Sequence, residues 1–442
     1  MSIVANTPVT HRHILSSWSP LALSWIMMAV EGPYLTALVA RLDQPKINLA
    51  AFGVAFAFGL LLESPVIMLM AAAAKLVKDR VSLQTVQKIS LALSIACTVA
   101  MGILTIGPFF RFWAQGLLSL PNELLDPLWW AVVLMLPWPG FIGIRRFYQG
   151  VLIASGLTKR LAVGTAIRLT TMSATAFVLF KTQPIHGAAI ATASLSVGVI
   201  CEALFTVRVA RTTKQALKAK DPEDNSETIT VKSFARFYWP LVLTTLIGMA
   251  IQPFVSFALS HSKDPIASLA VLPVIHGIVF FFRAIPLSFQ EIIITMLGKS
   301  MDSKQTLKVF ATYLAIILTV IMILLSCTPL AGFWFAHVAG LPDNLLNFAK
   351  WPLILNIGVP SLSLWLCWQR SLCIHYQNTK PVTHASAVEI GLVCVVMLLA
   401  IVADINLSGI IVAMFALSFA RLAANLYLSA VRKRAEAIAV TF

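Results

Sequence analysis

The chain has 442 residues, of which 59% are hydrophobic and only 12% charged, and its formal net charge is +15. Soluble domains carry about 25% charged residues, so this composition excludes a soluble globular protein and indicates a polytopic membrane protein. Residues 1–17 contain no apolar core followed by a small-residue cleavage site, so we expect no removable signal peptide. The six cysteines lie within or at the edge of apolar stretches, without metal-binding or disulfide spacing.

Apolar windows of about 20 residues predict twelve transmembrane helices, six in each half of the chain. The predicted spans are 16–40, 49–74, 89–110, 128–154, 161–181, 187–207, 237–260, 269–296, 308–334, 351–374, 384–403 and 407–430. The longest polar stretch, 208–236, is predicted to be a cytoplasmic linker. The sequence therefore predicts an N-terminal six-helix lobe at 1–207 and a C-terminal six-helix lobe at 237–442.

Lysine and arginine are concentrated in alternate loops. One set of loops contains Lys75, Lys78, Arg80, Lys88, Lys159, Arg160, Arg208, Arg211, Lys214, Lys218, Lys299, Lys304, Lys308, Lys380 and the C-terminal Arg432, Lys433 and Arg434. The positive-inside rule then places both termini in the cytoplasm of a multi-pass protein of the cell (inner) membrane. The net positive charge largely reflects this asymmetry, so it does not indicate nucleic-acid binding.

The two halves resemble each other at a nearly constant offset. The matches at 220 residues are Pro20 with Pro240, Pro33 with Pro253, Pro45 with Pro265, and Leu49-Ala50 with Leu269-Ala270. The matches at 221 residues are LPNELL (120–125) with LPDNLL (341–346), Pro139 with Pro360, and Thr158-Lys159 with Thr379-Lys380. Copies with an even number of spans insert the same way round, so we predict an all-α fold of two lobes related by a pseudo-two-fold axis along the membrane normal.

The eighth predicted span, Leu269–Met296, carries a polar face. His276, Arg283 and Gln290 recur every seven residues, close to two helical turns. Such a face points into a bundle or a water-filled cavity because charged groups are expensive in lipid. Arg283 is therefore predicted either to line a pathway or to lie in a fixed internal ion pair.

The repeat places opposite charges at equivalent positions. Glu63 corresponds to Arg283, and Arg168 corresponds to Glu389. Our preferred interpretation is that these residues face each other across a cleft, as a gate or substrate site. The alternative is fixed pairing within each half.

Further charges within the spans favour an anionic ligand. The deep cations are Arg145, Arg146, Arg168 and Arg283, and the deep carboxylates are Glu31, Glu63, Glu202 and Glu389. Guanidinium groups bind carboxylate and phosphate bidentately, so a mixed but arginine-rich interior suits an anion. Glu31 precedes Gly32-Pro33, which weakens the helix and could open carbonyls to an ion; a helix-capping role is the alternative.

Motifs for other chemistries are missing from the sequence. The histidines are scattered, no HExxH or GxSxG occurs, and Gly298-Lys299-Ser300 lacks the first glycine of a phosphate loop because position 293 is Ile. We therefore expect no enzyme activity, no metal site and no cofactor.

Twelve spans in two parallel repeats resemble two transporter superfamilies. The major facilitator superfamily has a Gly- and Arg-rich loop after the second span, which AAAAKLVKDRVS (71–82) does not match. The multidrug/oligosaccharidyl-lipid/polysaccharide (MOP) flippase superfamily, which includes the multidrug and toxin extrusion (MATE) family, has a Pro-bearing first helix in each half. WSPLAL (18–23), WPLVL (239–243) and YQGVLIASGLTKRLAVGTAIR (148–168) resemble that pattern. FYWPLVLTTLIGMAIQPFVSFALS (237–260) is similar to the progressive ankylosis family.

This resemblance implies secondary active export of small organic or phosphate-bearing anions, of the citrate, nucleotide or pyrophosphate class, by alternating access. Arg283, Arg168, Arg145, His276 and Gln290 are the predicted substrate-binding residues, and Glu63, Glu389 and Glu31 are predicted to gate or couple ions. The expected partners are a small anion, a coupling H+ or Na+, and membrane lipid, for a monomeric protein.

Three alternatives remain open. One is a MATE-like multidrug cation antiporter driven by H+ or Na+, which would rely on the glutamates. Another is a lipid-linked oligosaccharide flippase. The third is a membrane scaffold or receptor without transport.

Overall fold

The computed structural model describes residues 10–155, 157, 159–183, 185–219, 230–299, 303–376 and 380–440. These residues form α-helices joined by short turns. The helices of the first half are α1 (His11–Ala29), α2 (Glu31–Val39), α3 (Pro45–Ile67), α4 (Leu69–Leu76), α5 (Arg80–Ile103), α6 (Gly107–Arg111), α7 (Asn122–Leu134), α8 (Trp138–Ala154), α9 (Lys159–Thr182), α10 (Gly187–Val209) and α11 (Arg211–Lys218). Those of the second half are α12 (Val231–Ser260), α13 (Pro265–Lys299), α14 (Ser303–Cys327), α15 (Leu330–Phe333), α16 (Asp343–Leu355), α17 (Val359–His375), α18 (Lys380–Val402) and α19 (Gly409–Val440).

The predicted all-α membrane architecture is confirmed. Within the described residues, 12 helical segments are long and apolar enough to cross a membrane, and they fall on the twelve predicted spans. Four spans consist of two successive helices: α1 with α2, α3 with α4, α7 with α8, and α16 with α17.

The breaks in these spans occur next to prolines. In the first span α1 ends at Ala29, and Pro33 lies in the first turn of α2, where its missing N–H is tolerated. The fourth and tenth spans break immediately before Pro139 and Pro360, which occupy the first turns of α8 and α17. These two prolines occupy equivalent positions in the sequence repeat. The two halves therefore share the helix break as well as the sequence pattern.

A second backbone feature also recurs in both halves. The segments Phe112–Leu117 and Trp334–Val338 form short π-helical turns, each following a short helix that begins after the long helix of the third or ninth span. By contrast, α13 is continuous, whereas its counterpart in the first half is divided between α3 and α4. The duplication is therefore clear in some spans and lost in others.

The chain forms two compact units that do not coincide with the sequence halves. The N-terminal unit contains Leu38–His261 and Pro265–Ala270, and the C-terminal unit contains Met1–Ala37, Ser262–Asp264 and Val271–Phe442. The boundaries predicted from sequence were 1–207 and 237–442. The first helix of each half thus belongs to the unit built mainly by the other half.

Hydrogen bonds to α3 fix α12 within the N-terminal unit. The Tyr238 hydroxyl donates to the Pro65 carbonyl at 2.6 Å, and the Thr245 hydroxyl donates to the Ser64 carbonyl at 2.9 Å. These carbonyls lie in the last turn of α3, which ends at Ile67, where helical carbonyls run out of N–H partners. Side chains of α12 therefore supply these carbonyls with hydrogen-bond donors, which lipid tails lack.

Aromatic packing fixes α1 within the C-terminal unit. The Trp18 indole donates from Nε1 to Ser288 Oγ at 2.9 Å. Its ring packs edge-on against Phe289 and Phe310, with centroid distances of 5.6 and 5.8 Å. These residues belong to a buried apolar cluster shared by α1, α13, α14 and α17.

Candidate functional site

The first candidate site is a buried charge cluster in the N-terminal unit, centred on Glu202 of α10. Arg145 of α8 forms an ion pair with Glu202 Oε2, and Arg168 Nε of α9 lies 3.5 Å from the same oxygen. Gln149 Nε2 donates to Glu202 Oε1 at 3.2 Å. Glu202 is only 1% exposed, so this carboxylate holds two predicted substrate-binding arginines within one unit.

Glu63 and Arg146 belong to the same unit but remain incompletely partnered. Among the described residues, Glu63 Oε2 and Arg146 Nε are buried without a hydrogen-bond partner. Arg146, Arg145 and Arg168 are the charged neighbours of Glu63, and Arg146 Nη1 lies 3.8 Å from Met70 Sδ. Buried polar groups without partners are costly and therefore rare, so this pair is a candidate for binding a proton, an ion or a ligand.

The second candidate site is a charge cluster in the C-terminal unit. Arg421 of α19 donates from Nε to Glu389 Oε1 of α18 at 2.5 Å and from Nη1 to Ser363 Oγ at 2.8 Å. Arg370 of α17 donates to Ser386 Oγ at 3.3 Å. Arg283 of α13 has Arg421, Glu389 and Arg370 as its charged neighbours.

This second cluster has an excess of cations. It contains Arg283, Arg370 and Arg421 against Glu389, and Arg421 already occupies that carboxylate. Arg283 forms no ion pair with a described residue, and the Nε atoms of Arg283 and Arg370 are buried without an acceptor in the described structure. The fixed internal ion pair that the sequence left open for Arg283 is therefore not found among these residues.

Each unit has an ion pair between adjacent helices, buried in the N-terminal unit and half-buried in the C-terminal unit, and the order of the two charges along the chain is reversed. In the N-terminal unit the positively charged residue, Arg168, is on α9 and the negatively charged residue, Glu202, is on α10. In the C-terminal unit the negatively charged residue, Glu389, is on α18 and the positively charged residue, Arg421, is on α19. The sequence analysis preferred pairing of Arg168 and Glu389 across a cleft. In this structure each has a partner on the adjacent helix of its own unit, which was the alternative.

The polar face of the eighth span is preserved because α13 runs through it without a break. His276, Arg283 and Gln290 are all half-buried, and His276 has Arg283 as a charged neighbour. The backbone carbonyl oxygen of Gln290 lies 3.5 Å from Ser371 Oγ, which donates to the Cys367 carbonyl at 2.8 Å.

Glu31 occupies the first turn of α2 and is also half-buried. The helices α2 and α13 approach closely beside it. A Cβ added to Gly32 would lie 3.7 Å from Gly277 Cα, and one added to Gly277 would lie 3.2 Å from Pro33. The small residues therefore permit this crossing.

Sequence reasoning missed two members of these clusters. Arg421 was not singled out, although it lies in the middle of the twelfth predicted span, and Gln149 was not considered. Glu202 was recognised as a charge within a span but was not assigned to the site. A systematic list of every polar residue within the predicted spans would have included all three. Among the described residues, no cluster of histidine, cysteine, aspartate or glutamate could hold a metal ion.

Comparison with solved structures identifies similar folds. The lipid II flippase MurJ in an inward closed conformation is 16% identical, with a TM-score of 0.70 over 94% of this chain and 87% of that chain. An inward-facing MATE multidrug resistance transporter of the MOP superfamily is 14% identical, with a TM-score of 0.66 over 99% of this chain and 97% of that chain. A MOP superfamily transporter from Pyrococcus furiosus, described as having a binding pocket of reverse polarity, is 11% identical, with a TM-score of 0.60 over 97% of this chain and 99% of that chain.

Sequence comparisons give no corresponding match. No protein-family model matches the chain, and no curated protein matches it. The resemblance of residues 237–260 to the progressive ankylosis family stays a prediction, since the similar structures named above are MATE, MurJ and other MOP proteins.

Proposed function

We propose that this chain, which has the fold of MOP superfamily transporters and flippases, is a secondary active exporter of small organic or phosphate-bearing anions. The substrate belongs to the citrate, nucleotide or pyrophosphate class. Transport proceeds by alternating access, and Arg283 is the principal anion-binding residue.

The observation that carries this proposal is the buried Nε of Arg283, which has no acceptor among the described residues. Within that part of the chain Glu389 is the carboxylate among its charged neighbours, and Arg421 already binds it. A carboxylate or phosphate group would supply paired acceptors for such a guanidinium. Arg370, also with a buried Nε that lacks an acceptor, would add a second cation to the same anion.

The other predicted site residues take different roles in this proposal. Arg145 and Arg168 are held by Glu202, so they keep a positive potential near Glu63 and bind the anion only if Glu202 releases them. Glu63 and His276 are the candidates for the coupling ion, with His276 close to Arg283 in the C-terminal unit. Gln290 adds a hydrogen-bonding group to the polar face of α13.

Thermal stabilisation of the purified protein by citrate, pyrophosphate and ATP tests this function. A ligand at about 100 times its dissociation constant should stabilise the native state by about 2.7 kcal/mol. Stabilisation should disappear in Arg283→Ala and persist in Arg111→Ala, a control that removes an exposed arginine. Full anion transport by Arg283→Ala in proteoliposomes would refute the assignment.

A lipid-linked pyrophosphate flippase is the second candidate function. Its supporting observation is the similarity to MurJ over 94% of this chain, together with cations suited to a pyrophosphate. Stabilisation by a lipid-linked pyrophosphate, combined with no response to the soluble anions, would favour it.

A MATE-like cation antiporter is the third candidate, supported by the buried carboxylate of Glu63. It predicts stabilisation by lipophilic cations alone. That response should be insensitive to Arg283→Ala but lost in Glu63→Gln or Glu389→Gln.

A further inference from the structure

A short amphipathic helix with a basic exposed surface follows the sixth span. This helix, α11, begins one residue after α10 ends at Val209. It contacts α5, α8 and α10 of the N-terminal unit. Because α11 is amphipathic and starts where a span ends, we expect it to lie at the depth of the lipid headgroups.

One face of α11 is fixed to the protein. Thr213 is buried and Leu217 is half-buried. Lys214 Nζ donates to the Tyr148 hydroxyl at 3.3 Å and lies 5.7 Å from the centre of the same ring. Gln87 Nε2 of α5 donates to that hydroxyl as well, at 3.1 Å. These contacts fix which face of α11 packs against the protein.

The opposite face exposes cations. Arg211 and Lys218 are exposed, and so is Arg208 at the end of α10. Further cations are exposed on α5, which contacts α11, and on α4 and the turn that precede α5: Lys75, Lys78, Arg80 and Lys88. We refer to Arg208, Arg211 and Lys218 as the α11 basic face.

Acidic residues are scarce in the described segments 69–90, 159–165 and 203–219. Asp79 is the only acid in them, and it is buried and accepts from the Ser82 backbone N–H at 2.8 Å as the N-cap of α5. Its charge is therefore used in helix capping.

We propose that the α11 basic face binds the headgroups of anionic phospholipids. The argument rests on three observations: the position of α11 directly after a span, its fixed rotation, and the exposed cations on its outer face. Anionic headgroups are the negative groups present at that depth, and juxtamembrane cations attract them by about fivefold in local affinity for each Lys or Arg. The binding is independent of the transported substrate.

The test measures the association of spin-labelled phosphatidylglycerol, relative to spin-labelled phosphatidylcholine, with the full-length protein in vesicles. The variant is Arg208→Gln/Arg211→Gln/Lys218→Gln. The matched control, Lys46→Gln/Arg111→Gln/Lys181→Gln, removes the same charge from loops poor in lysine and arginine. We expect the preference for phosphatidylglycerol to fall at least about tenfold in the first variant and to stay within about twofold in the control.

Three results would overturn the proposal. One is an equal loss in both variants, which would indicate a general effect of net charge. Another is an unchanged preference in the α11 variant. The third is a preference for phosphatidylglycerol that is lost when millimolar soluble pyrophosphate is added but is kept in chloride of equal ionic strength. That result would show that the α11 basic face binds a soluble polyanion. Melting temperatures in zwitterionic detergent verify that both variants are folded.

Discussion

Arg421 donates from Nε to Glu389 Oε1 at 2.5 Å, and this bond joins α19 to α18 inside the C-terminal unit. A second bond from Arg421 to Ser363 ties the same guanidinium to α17. Arg421 therefore occupies the carboxylate of Glu389, and the Nε atoms of Arg283 and Arg370 stay without an acceptor among the described residues. This relationship connects the stability of the unit with its proposed ligand chemistry.

The substitution Glu389→Gln should destabilise the protein because Arg421 would be left without its counter-ion. The loss should be smaller than the about 3–5 kcal/mol typical of a fully buried pair, because the two side chains are 16% and 12% exposed. Thermal unfolding in detergent measures it. The double variant Glu389→Gln/Arg421→Met should recover part of the loss, and a fully stable Glu389→Gln would contradict the prediction.

The substitution Glu202→Gln should cost more stability than Glu389→Gln. Glu202 is 1% exposed and binds Arg145, Arg168 and Gln149 together, so its neutralisation strands two buried cations and should cost about 3–5 kcal/mol. Glu63→Gln is the matched control. Because Glu63 Oε2 has no hydrogen-bond partner in the described structure, that change should cost less stability than Glu202→Gln. Equal melting temperatures for the two variants would argue against the Glu202-centred cluster.

The substitution Arg283→Lys should weaken anion binding even though the charge is kept. An ammonium group cannot form the paired, planar hydrogen bonds of a guanidinium, so the dissociation constant should rise about tenfold, or about 1.4 kcal/mol. Titration calorimetry with the anion that stabilises the wild type measures this change. Unaltered affinity would indicate that Arg283 acts as a point charge.

The substitution Tyr238→Phe should destabilise the N-terminal unit by about 1–3 kcal/mol, because the partly buried Pro65 carbonyl would lose its donor. Tyr313→Phe is the control, since Tyr313 is 62% exposed. The melting temperatures of the two variants measure the difference. A shift of equal size in both would contradict the hydrogen bond from Tyr238 to Pro65.

The substitution Gly150→Ala should disrupt the packing of α8 on α4. The added Cβ would lie 2.7 Å from Ala73 Cβ and 3.0 Å from Ala74 N, and would also overlap the Met70 carbonyl oxygen. Overpacking of this kind costs about 1–3 kcal/mol. Gly248→Ala, in α12, meets no atom within 4 Å among the described residues and should stabilise its helix by up to about 1 kcal/mol. Opposite signs for the two melting-temperature shifts are expected; a rise for both would refute the prediction.

The sequence by itself determined the number of spans, the duplication and most of the buried charges. Apolar length is a local property, so the twelve spans could be predicted from it, whereas the breaks before Pro139 and Pro360 were not predicted and appear only in the structure. Glu63, Arg145, Arg168, Arg283 and Glu389 were recognisable because a charge within an apolar stretch is conspicuous.

Only the tertiary structure decided which charged residues form ion pairs and to which unit each helix belongs. The repeat suggested pairs between equivalent positions, whereas Glu202 and Arg421 on adjacent helices provide the partners of Arg168 and Glu389. The exchange of α1 and α12 between units likewise depends on contacts such as Trp18 with Ser288 and Tyr238 with Pro65. Such contacts join residues far apart in the chain, and helical periodicity specifies a face without specifying the neighbour that it meets.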